Sequence, residues 1–103
     1  MNNNPADDLD LLAKAKLNLE TSQLPWTDLQ RFFASGSLIS VAASLDLVEV
    51  AHQFSIDNKT QVELWLKAGQ VHRVTDAQAM NWLDTHALLW TTVVRPWVLV
   101  QEG

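Results

Sequence analysis

Apolar positions along the chain change spacing several times, and each change predicts an element. The longest apolar stretch is the last, residues 87–101, reading ALLWTTVVRPWVLVQ. It is rich in β-branched and aromatic residues and scarcely alternates, which predicts strand buried on both faces. Pro96 has no N–H to give a ladder and must sit at a kink, a bulge or an edge. The stretch therefore divides into two strand segments, 88–94 and 97–101, against which the helices pack.

Ahead of it the spacing is mostly helical. Residues 1–6 read as a disordered tail and 7–103 as one domain. From residue 7 to 20, Leu9, Leu12, Leu17 and Leu19 lie among Lys14, Lys16 and Asn18, with Asp7, Asp8 and Asp10 in the first turn, where the helix dipole favours negative charge. Residues 22–25 break this helix. Thr27 and Gln30 have capping-box spacing, and Leu29, Phe32 and Phe33 form an inward stripe that Gly36 ends. A short strand follows at 38–42. Asp46 opens a third helix, with Leu47, Val50, Ala51 and Phe54 on one face and Asp46, Glu49 and Gln53 on the other. After a turn at Asp57 and Asn58, a fourth helix runs from Lys59 to Ala68 with Val62, Trp65 and Leu66 inward; Gly69 ends it, and a second short strand spans 70–74. Thr75 and Gln78 are box-spaced at the start of a fifth helix, whose inward residues read as Ala79, Met80 and Leu83.

Residues 27–41 align without gaps on residues 60–74, an offset of 33 in the printed sequence. Thr27/Thr60, Gly36/Gly69 and Val41/Val74 are identical across it. Either the unit is duplicated, or any helix–glycine–strand corner selects these residue types.

Composition narrows the function. The chain has 12 acidic and 7 basic residues and a net charge of −5, which works against a nucleic acid as main partner, because such affinity comes largely from Lys and Arg neutralising phosphates. There is no cysteine, so disulfides, thiolate metal sites and cysteine nucleophiles are excluded. The polar, acidic start MNNNPADDLD is unlike a signal peptide, and no apolar run reaches the roughly 18–20 residues of a membrane span. These features predict a cytoplasmic protein without a membrane partner. With glycines only at 36, 69 and 103, no phosphate-binding or dinucleotide loop can be built. No serine sits in a nucleophile elbow. His52, His72 and His86 are scattered, which predicts no metal site; His72 should point outward and His86 should close the fifth helix. Glu49 and His52 make a single E-x-x-H pair, which reads as a solvated polar face, since di-iron bundles use the pair twice with further glutamates. No cofactor is expected.

Two surfaces stand out. Five tryptophans, Trp26, Trp65, Trp82, Trp90 and Trp97, exceed what one small core commonly takes. Trp65 and Trp90 fall on apolar faces, whereas Trp82 and Trp97, with Arg95, form a candidate interaction surface at helix and strand edges. Asp46, Glu49 and His52 form a candidate polar cluster. Residues 49–71 also have helix-turn-helix spacing, but the second helix carries Lys59, Gln61, Glu63 and Lys67 where a DNA reader needs a basic stripe.

The segments LPWTDLQRFFASG (24–36), SLDLVEVAHQF (44–54), VELWLKAG (62–69), TDAQAMNWL (75–83) and LLWTTVVRPWVLVQ (88–101) together resemble a family of small uncharacterised bacterial proteins, domain of unknown function two-two-eight-eight. The resemblance spans nearly everything after the first residues. It implies a single-domain bacterial cytosolic protein and supplies no activity and no site residues.

The expected fold is α+β, about five helices on a small three- to four-stranded sheet with the C-terminal strand central. The expected function is a non-enzymatic interaction or adaptor module, a homo-oligomer or a binder of another protein. Its alternative is a small-molecule-binding protein or minor enzyme with a pocket near Asp46, Glu49 or Arg95, which an enclosed cavity lined by Trp and one buried charge would favour, as a flat exposed apolar patch would favour the adaptor; a DNA-binding helix-turn-helix is the third reading.

Overall fold

The computed structural model describes the backbone from Pro5 to Gly103 and the side chains from Leu11 onward, Leu19 excepted. The tail expected at 1–6 lies partly outside these residues, as do the side chains of Leu9, Asp7, Asp8 and Asp10; Pro5 and Ala6 already belong to the first helix. In chain order the elements are α1 (Pro5–Glu20), β1 (Ser22–Pro25), α2 (Trp26–Ala34), β2 (Leu38–Val41), α3 (Leu47–Ser55), α4 (Lys59–Lys67), β3 (Val71–Arg73), α5 (Asp76–Asp84), β4 (Leu88–Val94) and β5 (Trp97–Glu102).

The fold is α+β, and its sheet has five strands in the order β1-β4-β5-β2-β3. β5 is central: it pairs antiparallel with β4 and parallel with β2. β2 pairs antiparallel with β3, and β4 with β1. The strand count corrects the expected three or four. The addition is β1, read in the sequence only as a break. Its residues SQLP are polar and end in proline, a composition that an edge strand with one neighbour tolerates.

Helices cover both faces. Alternate residues of β5 point to opposite sides, so Val98 and Val100 pack with Trp26 and Leu29 of α2 and with Ala79 and Trp82 of α5. Leu99 points the other way, into a cluster with Ile39, Val41, Val71 and Val94 of the sheet and Leu47, Val50 and Ala51 of α3. Leu17 of α1 and Trp65 of α4 pack against this second cluster. Two-sided burial thus holds for β5 but not for β4, where Leu88, Trp90 and Val93 are exposed. Trp90 is a correction: it lies one strand from the sheet edge and is 40% exposed. Pro96 sits in the two-residue turn between Val94 and Trp97, and the Arg95–Pro96 peptide bond is cis.

The helix starts are partly as expected. The Asp46 side chain accepts from the N–H groups of Val48 and Glu49, and Thr75 and Gln78 form a complete capping box. The box expected at Thr27 and Gln30 is absent, because α2 begins two residues earlier than that cap requires, at Trp26, behind Pro25. In α5 the inward residues are Ala79 and Trp82, whereas Met80 and Leu83 are exposed.

Four helices end alike. After α2, the N–H of Gly36 donates to Phe33 O and that of Ser37 to Phe32 O. The same 5→2 and 6→1 pair follows α3 at Asp57 and Asn58, α4 at Gly69 and Gln70, and α5 at His86 and Ala87. These are Schellman caps, whose C′ residue takes the left-handed conformation. Gly36 and Gly69 have φ of 76° and 71°, and Asp57 and His86 have 55° and 51°. Two helices outside the aligned segments share the cap, so the glycine stops at a common offset do not by themselves require a duplication. A test follows. A Cβ on Gly69 would meet nothing within 4 Å, so Gly69→Ala should reveal the backbone cost alone, about 1 kcal/mol. His86→Gly should gain a similar amount by relieving it. Paired urea titrations should show midpoints moving in opposite directions.

Candidate functional site

The principal concavity is a half-open groove of ≈ 570 Å³ on the α3/α4 side of the sheet. Its floor comes from side chains that strand register puts on one face. Ile39 of β2 lies opposite Arg73 of β3 and, on its other side, beside Leu99 of β5. Two residues along from these lie Val71 and Trp97, on the same face. One wall is α4, which presents Lys59, Val62, Glu63 and Leu66, spaced i, i+3, i+4, i+7. Phe54 and Asp57, at the end of α3, close one side, and the Arg95–Pro96 turn closes another. Apolar side chains thus form most of the surface, with five charged groups distributed around it.

Arg95 is exposed in its turn and lines the groove, facing solvent instead of a buried acid. Trp97 is half-buried against the second core cluster. The guanidinium of Arg73 stands 5.8 Å from the Trp97 ring centroid, within cation–π range. Among the described residues the one ion pair within 4 Å is Lys14–Glu49, remote from the groove, so Lys59, Arg73 and Arg95 are not neutralised by Asp57 or Glu63.

The other candidates take structural roles. Trp82 is a correction: it is 2% exposed and belongs to the core, with its indole N–H donating to Glu102 Oε1 at 2.9 Å. It therefore cannot share a surface with Trp97 and Arg95, which the groove does bring together. Asp46, Glu49 and His52 do not converge on one site. Asp46 is the α3 N-cap. Glu49 receives the Lys14 ammonium at 2.7 Å and the Gln53 amide at 2.9 Å, tying α1 to α3. His52 is 2% exposed, a core histidine rather than part of a solvated face. A shallower depression of ≈ 450 Å³ includes Asp46, Trp90 and Gln101. There the Gln101 amide donates to Ala42 O and Leu45 O, at 2.8 and 2.7 Å, fastening the loop before α3 to β5. Glu49 lines neither concavity.

The Lys14 ammonium, and after it the Gln53 amide, hold the Glu49 carboxyl below its usual range. A carboxyl with a lowered folded value stabilises fully above its ordinary unfolded value, and that contribution is lost as pH falls through the lowered one. Both partners are 39% exposed, so the pair is worth under about 1 kcal/mol. Glu49→Gln should lower stability slightly at neutral pH and converge with the parent in acid, which melting midpoints across a pH series would check.

His86 is exposed and closes α5 as expected. His72 is half-buried, with Nδ1 2.8 Å from Arg73 O. Among the described residues no three His, Cys, Asp or Glu side chains are grouped to hold a metal ion, and no helix is long and apolar enough to cross a membrane.

The sequence drew attention to Arg95 and Trp97 but not to Arg73 or Lys59. Arg73 sat in a three-residue strand with no motif around it. Only the β2–β3 and β2–β5 pairings carry it to Trp97.

The fold and groove define an α+β protein with a mixed five-stranded sheet layered by helices on both faces. Residues 12–102 match the family described as Protein of unknown function (DUF2288), and the chain belongs to that family. It is similar to the protein in the NMR solution structure of PA1075 from Pseudomonas aeruginosa, with 43% identity and a TM-score of 0.78 over 88% of this chain and 84% of that one. No curated protein matches the chain.

Proposed function

We propose that this protein is a non-enzymatic binding module that works through the groove between α4 and the β3–β5 end of the sheet. One observation carries the reading: Arg95 and Trp97 lie in a single concavity with Arg73, over an apolar floor. Concave, mostly apolar surfaces of about 300–1,000 Å³ with a few convergent polar groups are the usual form of ligand sites. The groove is half-open and its arginines are exposed, so it is neither an enclosed cavity with a buried charge nor a flat patch; its concavity and Trp97 support a bound ligand over a broad adaptor face.

Protein-detected NMR with a small fragment set, neutral and charged, tests this. Binders should shift the Trp97 indole N–H and the amides around Val62, Leu66 and Arg73. Hits scattered over the surface, or gathered at Trp90, would defeat it.

A second reading has its own observation. Leu88 and Trp90 are exposed on one face of β4, 55% and 40% respectively, and such patches mark association surfaces. A homo-oligomer would show in native mass spectrometry as a multimer that Trp90→Ser dissolves. DNA binding receives little support: α4 exposes Leu64 and Leu66 beside Lys59, Glu63 and Lys67, a surface without the basic stripe that DNA requires.

A further inference from the structure

We infer that the groove takes a small amphipathic anion: an apolar body lying on the floor, with one carboxylate or phosphate head between Arg73 and Arg95. This inference rests on the groove being the binding site. Its first support is charge placement. The chain carries 7 Lys and Arg against 12 Asp and Glu, yet Lys59, Arg73 and Arg95 all line this one concavity. Asp57 and Glu63 line it too, without an ion pair to any of the three. Three cations against two carboxylates, with no ion pair among them, leave this lining net positive on an acidic protein and complementary to an anion from outside.

The second support is preorganisation. An arginine fork matches carboxylate or phosphate oxygens two at a time, and its energy is diminished when the side chain must first be ordered. Arg73 has one contact beforehand, its guanidinium standing 5.8 Å from the Trp97 ring centroid with its Nη1 on the Gly36 side. At Gly36 even a methyl group would stand 3.9 Å from that nitrogen. For Arg95 it is the backbone that is fixed, by the two-residue turn between β4 and β5.

The third support is the floor. Ile39, Phe54, Val62 and Val71 offer no partner to a polar body and Trp97 only its indole N–H, so the floor rewards an apolar body by removing its surface from water. Two carboxylates in the lining and a net charge of −5 repel a long polyanion, whereas a single head can sit on the arginine side. The ligand therefore has one concentrated charge and an apolar remainder.

The test uses the full chain, isotope-labelled, titrated with octanoate and 3-phenylpropionate and with the matching amides, octanamide and 3-phenylpropanamide. Octyl phosphate and acetate complete the set. The acids and octyl phosphate should shift the Trp97 indole N–H and bind about tenfold or more tightly than the amides, a ratio set by charge-assisted hydrogen bonding. Acetate, which has a head and no body, should bind more weakly than octanoate. The double variant Arg73→Gln, Arg95→Gln should keep a dispersed, folded spectrum and lose the preference of acid over amide. Acids and amides binding the groove equally would overturn the inference while leaving the binding reading intact. Shifts absent from the groove with every probe, and with an acidic peptide added last, would overturn both. A groove that ignores these probes and responds only to an acidic peptide would replace the small anion with a protein partner.

Discussion

Replacing Trp26 by alanine is expected to cost about 3–5 kcal/mol, the range for truncating a buried aromatic. Trp26 is 4% exposed at the first position of α2. Its ring centroid lies 5.7 Å from those of both Phe33 and Trp82, tilted by 58° and 55°. These are edge-to-face-like arrangements that add to the value of burial. The backbone N–H of Trp26 also donates to Ala87 O, at the entry to β4. One side chain thus joins α2 to α5 over one face of the sheet, and its removal leaves a void that neither nine-residue helix can close by shifting alone. Small domains are stable by about 5–15 kcal/mol, so this substitution should consume a large fraction of the total. Urea unfolding monitored by far-ultraviolet circular dichroism should give a much lower midpoint with an unchanged slope. Trp26→Phe should recover part of the loss. A Trp26→Ala chain as stable as the parent would show that the α2/α5 layer contributes little.

This residue also shows where sequence reading succeeded and failed. The stripe at Leu29, Phe32 and Phe33 was legible because it repeats at helical spacing, but Trp26 preceded the expected cap and went unassigned. In α5, spacing admitted two inward stripes, and the one through Met80 and Leu83 looked equally apolar. Trp82 is inside because its indole N–H has Glu102 as partner, a contact between α5 and β5 that no local pattern encodes. The glycine stops, the Asp46 and Thr75 caps and the strand pair around Pro96 were legible because each depends on residues within one turn. β1 was not, since a polar edge strand looks like a loop until its partner is known. The groove was half legible: Arg95 and Trp97 are near neighbours in the chain, whereas Lys59 and Arg73 join them through tertiary contacts.

Leu99→Ala is expected to cost about 2–5 kcal/mol, and a substitution on β4 isolates the reason. Leu99 is fully buried on the central strand, registered with Thr92 on one side and Ile39 on the other. The α3 layer covers it through Leu47, Val50 and Ala51. A cavity there lies between a strand hydrogen-bonded on both edges and a helix anchored by its Asp46 cap, so relaxation into it is restricted. Leu88 lies in the same apolar run but is 55% exposed on β4, so Leu88→Thr should stay within about 0.5 kcal/mol of the parent, as surface substitutions do. For a domain of this size the melting temperature should fall by roughly 4–8 °C for each kcal/mol lost, which separates the two variants clearly in a thermal melt. Equal losses would mean that β4 is covered on both faces in solution. In that case the Leu88–Trp90 face would be buried by a second copy, and the Leu88→Thr loss should shrink on dilution, because a dimer's stability depends on concentration.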